Sequence, residues 1–218
     1  KIVAAANIQP TDIVLEVGPG EGTLTTLLLE RAGKVIAVEK DDRLVPLLRQ
    51  KFATEIAAER LALVNADILK ITPHPQTSTS DVGYKVVANL PYYITGKFLR
   101  KFLQETEQQP SMMVLLLQKE VAKRIVAADK KESILSLSVK AYGTPRYIAT
   151  VKAGSFSPPP KVDSGVLMIE NISKDFFASD GHLQAGHGDA HRVRMHEERF
   201  FETVREGFAH PADAFVVF

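Results

Sequence analysis

The stretch Ile13-Val14-Leu15-Glu16-Val17-Gly18-Pro19-Gly20-Glu21-Gly22-Thr23-Leu24 joins a short apolar run to a glycine turn, and the turn to a helix with Leu24, Leu27 and Leu28 on one face. A second apolar strand, Lys34 to Val38, follows and closes on Glu39. Strand, glycine turn, helix, strand and acid in that order form a mononucleotide-binding half of a doubly wound sheet. The glycines leave room for a ligand to approach the backbone, and the helix behind them offers unpaired N–H groups.

Working outward, Lys1 to Asn7 reads as the tail of a helix, and Gln9 to Asp12 as a turn. Downstream the pattern predicts a helix over Arg43 to Phe52, a strand over Leu61 to Asn65 ending at Ala66-Asp67, and a surface loop over Thr72 to Ser80. A strand at Lys85 to Ala88 runs into Asn89-Leu90-Pro91-Tyr92, then a helix over Thr95 to Glu105, a strand over Met112 to Leu117 and a helix over Glu120 to Ala127. Ser133 to Ala141 is ambiguous: Leu135, Leu137, Val139 and Ala141 alternate as in a strand, while the α/β rhythm asks for a helix. Tyr147 to Val151 and Val166 to Ile169 read as strands flanking the proline-rich Phe156-Ser157-Pro158-Pro159-Pro160. Asp180 to His191 reads as a linker and Glu197 to Phe208 as a helix whose Phe200, Phe201, Val204 and Phe208 form a packing stripe.

The composition excludes several classes. With 218 residues, 45% of them hydrophobic and 24% charged, the chain suits one sizeable core with a small appended unit. It has no cysteine, which removes disulfides and thiolate chemistry. No apolar run approaches the roughly 18 residues of a membrane span and no leader pattern opens the chain, so a cytoplasmic protein is expected. His182, His187, His191 and His196 lack an accompanying carboxylate pattern, and no metal is expected. Net charge is only +1, but Lys85 to Lys161 holds thirteen lysines and arginines against five acids, leaving that half at +8 and the remainder at about −7.

The glycine run is G-x-G-x-G, one residue short of the dinucleotide fingerprint, so its third glycine is misplaced for a pyrophosphate. The wider turn, beside Glu16, suits a bulkier zwitterion such as the methionine moiety of S-adenosylmethionine. Glu39 stands about 20 residues beyond Gly18, where an acid receives both ribose hydroxyls. Asp67, at the third strand's end, is placed to meet the adenine's exocyclic amine. Each acid alone also reads as a solvated cap. Asn89-Leu90-Pro91-Tyr92 reads in two ways as well: a helix cap with proline at the first position, or acceptors set beside a stacking ring, suited to a planar base with an exocyclic amine.

Taken together, Glu16-Val17-Gly18-Pro19-Gly20-x-Gly22-x-Leu24-Thr25, Glu39, Asp67, Asn89-Leu90-Pro91-Tyr92, Leu117-Gln118-Lys119-Glu120-Val121 and Phe156-Ser157-Pro158-Pro159-Pro160-Lys161-Val162-Asp163-Ser164 resemble the ribosomal RNA adenine dimethyltransferase family. The resemblance runs to about Glu170, with a weaker echo from Phe200 to Phe208. It implies S-adenosylmethionine as cofactor, held by Glu16, Gly18, Gly20, Glu39, Asp67 and Asn89. It implies a catalytic group of Asn89, Leu90, Pro91, Tyr92 and Phe156, in which Asn89 and a backbone carbonyl beside Pro91 accept the target amine's hydrogens while Tyr92 and Phe156 cover the base. Phe156 alone reads equally as core packing. Lys97, Arg100, Lys119, Lys123, Arg124 and Lys161 are the expected phosphate contacts. Family members usually carry a Gly-Gln-x-Phe-Leu segment upstream of the first helix and a basic stretch after the last; neither is in this sequence. The family is helical at Ser133 to Ala141, and the helix is adopted here.

The expectation is therefore an α/β, Rossmann-like, seven-stranded S-adenosylmethionine-dependent methyltransferase fold with its last strand pair reversed. It would comprise a methyltransferase domain over residues 1–172 and a small helical C-terminal domain over 173–218. The implied function is dimethylation of adenosine N6 in small-subunit (16S) rRNA by a monomer, within a small-subunit precursor and with a role in ribosome biogenesis. The alternatives are a large-subunit rRNA adenine N6-methyltransferase of the antibiotic-resistance type and a non-catalytic RNA-binding assembly or transcription factor.

Overall fold

The glycine turn sits at the middle of a seven-stranded sheet ordered β3-β2-β1-β4-β5-β7-β6. In chain order the elements are α1 (Ile2–Ala5), β1 (Ile13–Val17), α2 (Thr23–Leu29), β2 (Lys34–Glu39), α3 (Leu44–Lys51), α4 (Ala53–Ala57), β3 (Leu61–Asn65), β4 (Tyr84–Asn89), α5 (Thr95–Arg100), β5 (Met112–Gln118), α6 (Lys119–Ile125), α7 (Ile134–Lys140), β6 (Thr144–Val151), β7 (Ser164–Glu170), α8 (Asp175–Ala178) and α9 (Ala190–Gly207). The computed structural model describes residues 1–71, 83–156, 158–178 and 190–208, with the backbone alone at Tyr92, Ala190, His191 and Arg192. The loop expected over Thr72 to Ser80, the linker before Ala190, His182, His187 and the segment from Ala209 lie outside the described residues. No helix among the described residues is long and apolar enough to cross a membrane.

Strand alternation divides the core between the two faces of the sheet. Leu15, Val17, Val86, Leu115 and Leu167 point to one side and pack with Phe98, Phe102, Leu135 and Val139. Val14, Val35, Val87, Val114 and Val166 point to the other and pack with Leu28, Leu48 and Phe52. β1 pairs in parallel with β2 and β4, so the chain crosses from one half of the sheet to the other beside β1, and the strand ends there open into a crevice. At the opposite end of β4, Lys85 is drawn into an ion pair with Asp12 at 2.7 Å and also donates to the carbonyls of Ala6 and Asn7. One charge of the basic half is thereby spent on structure.

Ser133 to Ala141 is helical: the Ser133 hydroxyl accepts the Ser136 N–H at 3.1 Å while the Ser136 hydroxyl accepts the Ser133 N–H at 2.7 Å. That reciprocal cap opens α7 and overrides the strand-like alternation. The reversal expected of the last strand pair belongs to β7 alone. β7 inserts antiparallel between β5 and β6, which leaves the edge strand β6 running with the other strands. The helix after β4 continues past α5 as a π-helical turn, Lys101–Glu105, where the Lys101 carbonyl accepts both the N–H and the hydroxyl of Thr106 at 2.9 Å. The last helix begins at Ala190, seven residues before the expected start. Its Phe200 and Phe201 pack on the same cluster as Tyr142 and Phe177, and Tyr142 donates a hydrogen bond to the buried Glu197.

Candidate active site

The carboxyl ends of β1, β2 and β3 enclose a cleft of about 740 Å³ lined by Gly18, Glu39, Asp67, Pro91 and Ile94. Gly18 brings the start of the glycine turn to its wall. Gly18 donates its N–H to the Val38 carbonyl at 2.9 Å, which ties the turn to β2. Gly18 and Gly20 hold φ of +67° and +59°, and a Cβ on either would meet nothing within 4 Å. The turn therefore needs glycine for its backbone and leaves open space where a side chain would stand. Glu39 is buried at the end of β2; its Oε2 accepts the Gly20 N–H at 3.1 Å and its Oε1 the Asp41 N–H at 2.8 Å.

Glu16, next to last in β1, faces the α2 side and is 0% exposed. The polar groups that face its carboxylate are the hydroxyl and N–H of Thr25 on α2. Burial pushes the Glu16 carboxyl up to about 7, the Glu39 charge adds to the rise, and the Thr25 hydroxyl and N–H offset only part of it. Asp67 is held differently. Its Oδ2 pairs with Lys40 at 2.9 Å and its Oδ1 accepts the Leu69 N–H at 3.0 Å, which together keep the carboxyl below its ordinary value. Lys40 is mostly exposed, with 69% of its side chain in solvent, so a second donor can share Asp67 without burying a charge.

On the other side of Pro91 a second hollow of about 280 Å³ is lined by Asn89, Leu90, Phe156, Pro158, Pro160 and Ser164. Pro91 lines both hollows. Leu90 is buried and donates its N–H to the Leu116 carbonyl at 3.2 Å, fixing the segment to β5. The Asn89 amide, by contrast, is exposed and takes no hydrogen bond from a described residue. The Pro91 carbonyl accepts the Ile94 N–H at 3.2 Å, starting the 3-10 turn Tyr92–Ile94. The stacking role expected of the Tyr92 ring lies outside the described atoms. Phe156 packs against the α1–α3 side of the core and lines the hollow as well. Asp163 holds its loop, accepting the Ala153 N–H at 3.1 Å and pairing with Lys152 at 3.1 Å.

The profile of the family described as "Ribosomal RNA adenine dimethylase" matches residues 1–182. The chain belongs to that family. It is 51% identical over 186 residues to "Ribosomal RNA small subunit methyltransferase A" of Dehalococcoides mccartyi strain CBDB1, an alignment covering 81% of this chain and 62% of that relative. The chain thus spans less than two thirds of that relative's length. Among solved structures it resembles a dimethyladenosine transferase from Plasmodium falciparum, at a TM-score of 0.76 and 29% identity over 96% of this chain and 67% of the other. It also resembles the 23S rRNA methyltransferase ErmE, at 0.71 and 27% over 94% and 73%.

The basic residues of this family member do not form one patch. Lys97 is exposed and lines the cleft. Lys119 and Lys123 line a shallow hollow with Val162 and Asp163, next in sequence to the exposed Lys161, and Arg124 is exposed on the same helix. Arg100 is turned elsewhere: it pairs with Glu105 at 3.0 Å and borders a small cavity with Leu103, Tyr142 and Arg205. Sequence reasoning missed Lys40, Tyr93 and Ser164 as lining residues. The charged quartet Lys40-Asp41-Asp42-Arg43 directly after a strand end was the available signal for the first. Among the described residues His196 donates from Nδ1 to the Phe177 carbonyl at 3.2 Å, and no cluster suited to a metal occurs.

Proposed function

We propose that this chain transfers methyl groups from S-adenosylmethionine to N6 of adenosines in small-subunit rRNA, twice per target. The observation that carries the reading is the pair of hollows with Pro91 in common, one lined by Gly18, Glu39 and Asp67, the other edged by Asn89, Phe156 and Pro158. The residues fit the cofactor. Glu39 would receive the ribose hydroxyls, Asp67 the adenine amine in company with Lys40, and Glu16 with the Gly18–Gly20 turn the amino-acid end. When bound, this group supplies an electrophilic methyl on a sulfonium.

The chain's own task is to make a poor nucleophile competent. An adenine amine delocalises its lone pair into the ring. The Asn89 side-chain oxygen and the Leu90 carbonyl would accept its two hydrogens, biasing the nitrogen toward tetrahedral geometry with the lone pair turned toward Pro91 and the donor side. Leu90 is the carbonyl assigned because that of Pro91 already serves Ile94. Alignment then does most of the work, and no strong base is needed before the proton leaves. Tyr92 and Phe156 would hold the base, taken from its stack or presented single-stranded, between them. Lys97, Lys119, Lys123, Arg124 and Lys161 would meet phosphates, with Arg100 joining only if it leaves Glu105.

The name of the Dehalococcoides relative supports the small subunit, and the likeness to ErmE keeps a large-subunit substrate as the second reading. In the leading reading the protein acts in the cytoplasm as a monomer on a small-subunit precursor, and residues 173–218 form a small helical unit beside the methyltransferase domain. Labelled methyl transfer to purified immature 30S and to 50S particles separates the readings. Dimethyladenosine in 30S alone is expected, and label confined to 50S would overturn the assignment.

A further inference from the structure

The cavity that Arg100 borders stands apart from both hollows beside Pro91, with no lining residue in common. It lies between α5 with its π-helical extension, α7 and α9, and measures about 160 Å³. An apolar cavity of ~150 Å³ takes up one benzene ring. The walls here are Leu99 and Leu103, which expose 0% and 1%, with Ile134 and Phe201. The rim is of another character. Arg100 and Arg205 both border the cavity, no acid is among the described residues that line it, and the buried Glu197 is already engaged by the Tyr142 hydroxyl. Arg205 is exposed; its Nε donates to the Phe201 carbonyl at 3.0 Å, and its two terminal nitrogens take no acceptor among the described residues. Arg100 pairs with Glu105 at 3.0 Å, and a pair 45% and 52% exposed is of the kind that contributes little in water.

We propose that this cavity binds a small monocarboxylic acid with one compact apolar body, a benzene ring or a branched hydrocarbon of that size. The body fills the space among Leu99, Leu103, Ile134 and Phe201, and the carboxylate accepts from Arg205 and Arg100 at the rim. A guanidinium presents paired N–H donors in one plane, so the head is recognised by its shape as well as its charge. An RNA backbone would meet the same two arginines, but its phosphates and sugars are too polar to fill the apolar space beneath them. Head and body are both required. An exposed guanidinium alone holds an anion weakly, and a neutral ring forgoes the ionic contacts. Since α5, α7 and α9 each supply part of the wall, an occupant ties α9 to the two helices it packs beside.

The test is a titration of the whole chain with phenylacetate, followed by the methyl resonances of Leu99, Leu103 and Ile134, with acetate, benzyl alcohol and benzylamine alongside. Phenylacetate should move those signals saturably with a Kd of about 1 mM or below, as suits a ligand of its size. Acetate lacks the body, and benzyl alcohol and benzylamine lack the negative head; each should bind at least ~10-fold more weakly. At tenfold excess over its Kd, phenylacetate should raise the thermal midpoint by about 3–6 °C. Arg205→Leu, a change at an exposed position, should weaken phenylacetate at least ~10-fold and leave benzyl alcohol little altered. Equal binding of acetate and phenylacetate, undiminished binding by Arg205→Leu, or no saturable movement of the three residues' signals overturns the proposal. If an rRNA oligonucleotide moves them where phenylacetate does not, the two arginines belong to RNA phosphates and the proposal falls as well. Should the variant not fold, the ranking of phenylacetate against acetate and benzyl alcohol on the wild type decides alone.

Discussion

Glu39 Oε2 accepts the backbone N–H of Gly20 at 3.1 Å, so the acid that ends β2 holds the turn that ends β1. The residue proposed to receive the ribose thereby also shapes the seat for the amino-acid end. Glu39→Ala should weaken S-adenosylmethionine binding at least ~10-fold, the size of a lost charged hydrogen bond. Glu39→Gln, which keeps a carbonyl acceptor, should lose less. Calorimetric titration distinguishes these, and an unchanged affinity in Glu39→Ala would remove the residue from the site.

Asn89 lies on the acceptor side, exposed and unpartnered, so its loss costs the fold little. Asn89→Ala should lower methyl transfer to immature 30S particles by at least ~10²-fold, as expected when an aligning contact is lost. Its melting temperature should stay near that of the wild type. Equal turnover would show that the amide does not orient the target.

Gly22 caps α2 with φ +79°, and a Cβ there would stand 2.5 Å from Phe52 Cε2. Left-handed strain and overpacking add, so Gly22→Ala should cost about 2 kcal/mol. For a chain of this size that is a fall of roughly 4–8 °C in thermal midpoint. A midpoint within a degree of the wild type would mean that Phe52 moves aside freely.

The Glu16 carboxyl also sets a pH dependence of folding in the absence of ligand. Its value is raised from 4.5 to about 7 in the folded chain, so between these limits the folded state holds a proton that the unfolded state has released. The raised group's contribution is fully present below 4.5 and is lost as pH rises toward 7. Relative to Glu16→Gln, the wild type should lose about 3 kcal/mol of stability across that window. Denaturant titrations of both proteins at several pH values measure the difference. Parallel pH profiles would show that Glu16 is already ionised in the folded chain.

Local chemistry made part of this structure legible. The β1–turn–α2–β2 unit follows from short-range pattern, and the structure gathers Gly18, Glu39 and Asp67 in the cleft that the pattern implied. Ser133 to Ala141 misled by alternation because its cap pairs Ser133 with Ser136, not with the Glu or Gln that usually marks such a box. The start of α9 was missed because residues 190–196 are mostly charged or polar and carry little apolar stripe. The direction of β7 was out of reach for another reason: strand pairing is decided by long-range register, which no local window contains. Lys40 was read past because an exposed lysine declares its partner only when Asp67 is brought beside it.

The insertion of β7 between β5 and β6 bears on how the molecule matures. The cleft on the donor side is built from consecutive strand–helix units, so its parts meet after short loops close. Asn89 and Phe156 are separated in the chain by α5, β5, α6, α7 and β6, and their hollow has no second wall until β7 lies against β5. Loop closure over that span is slow. During refolding, amides of β1 and β2 should gain protection before those of β7, which pulsed hydrogen exchange can order directly. A chain still awaiting its last strand would then have a place for the donor before it has one for the base.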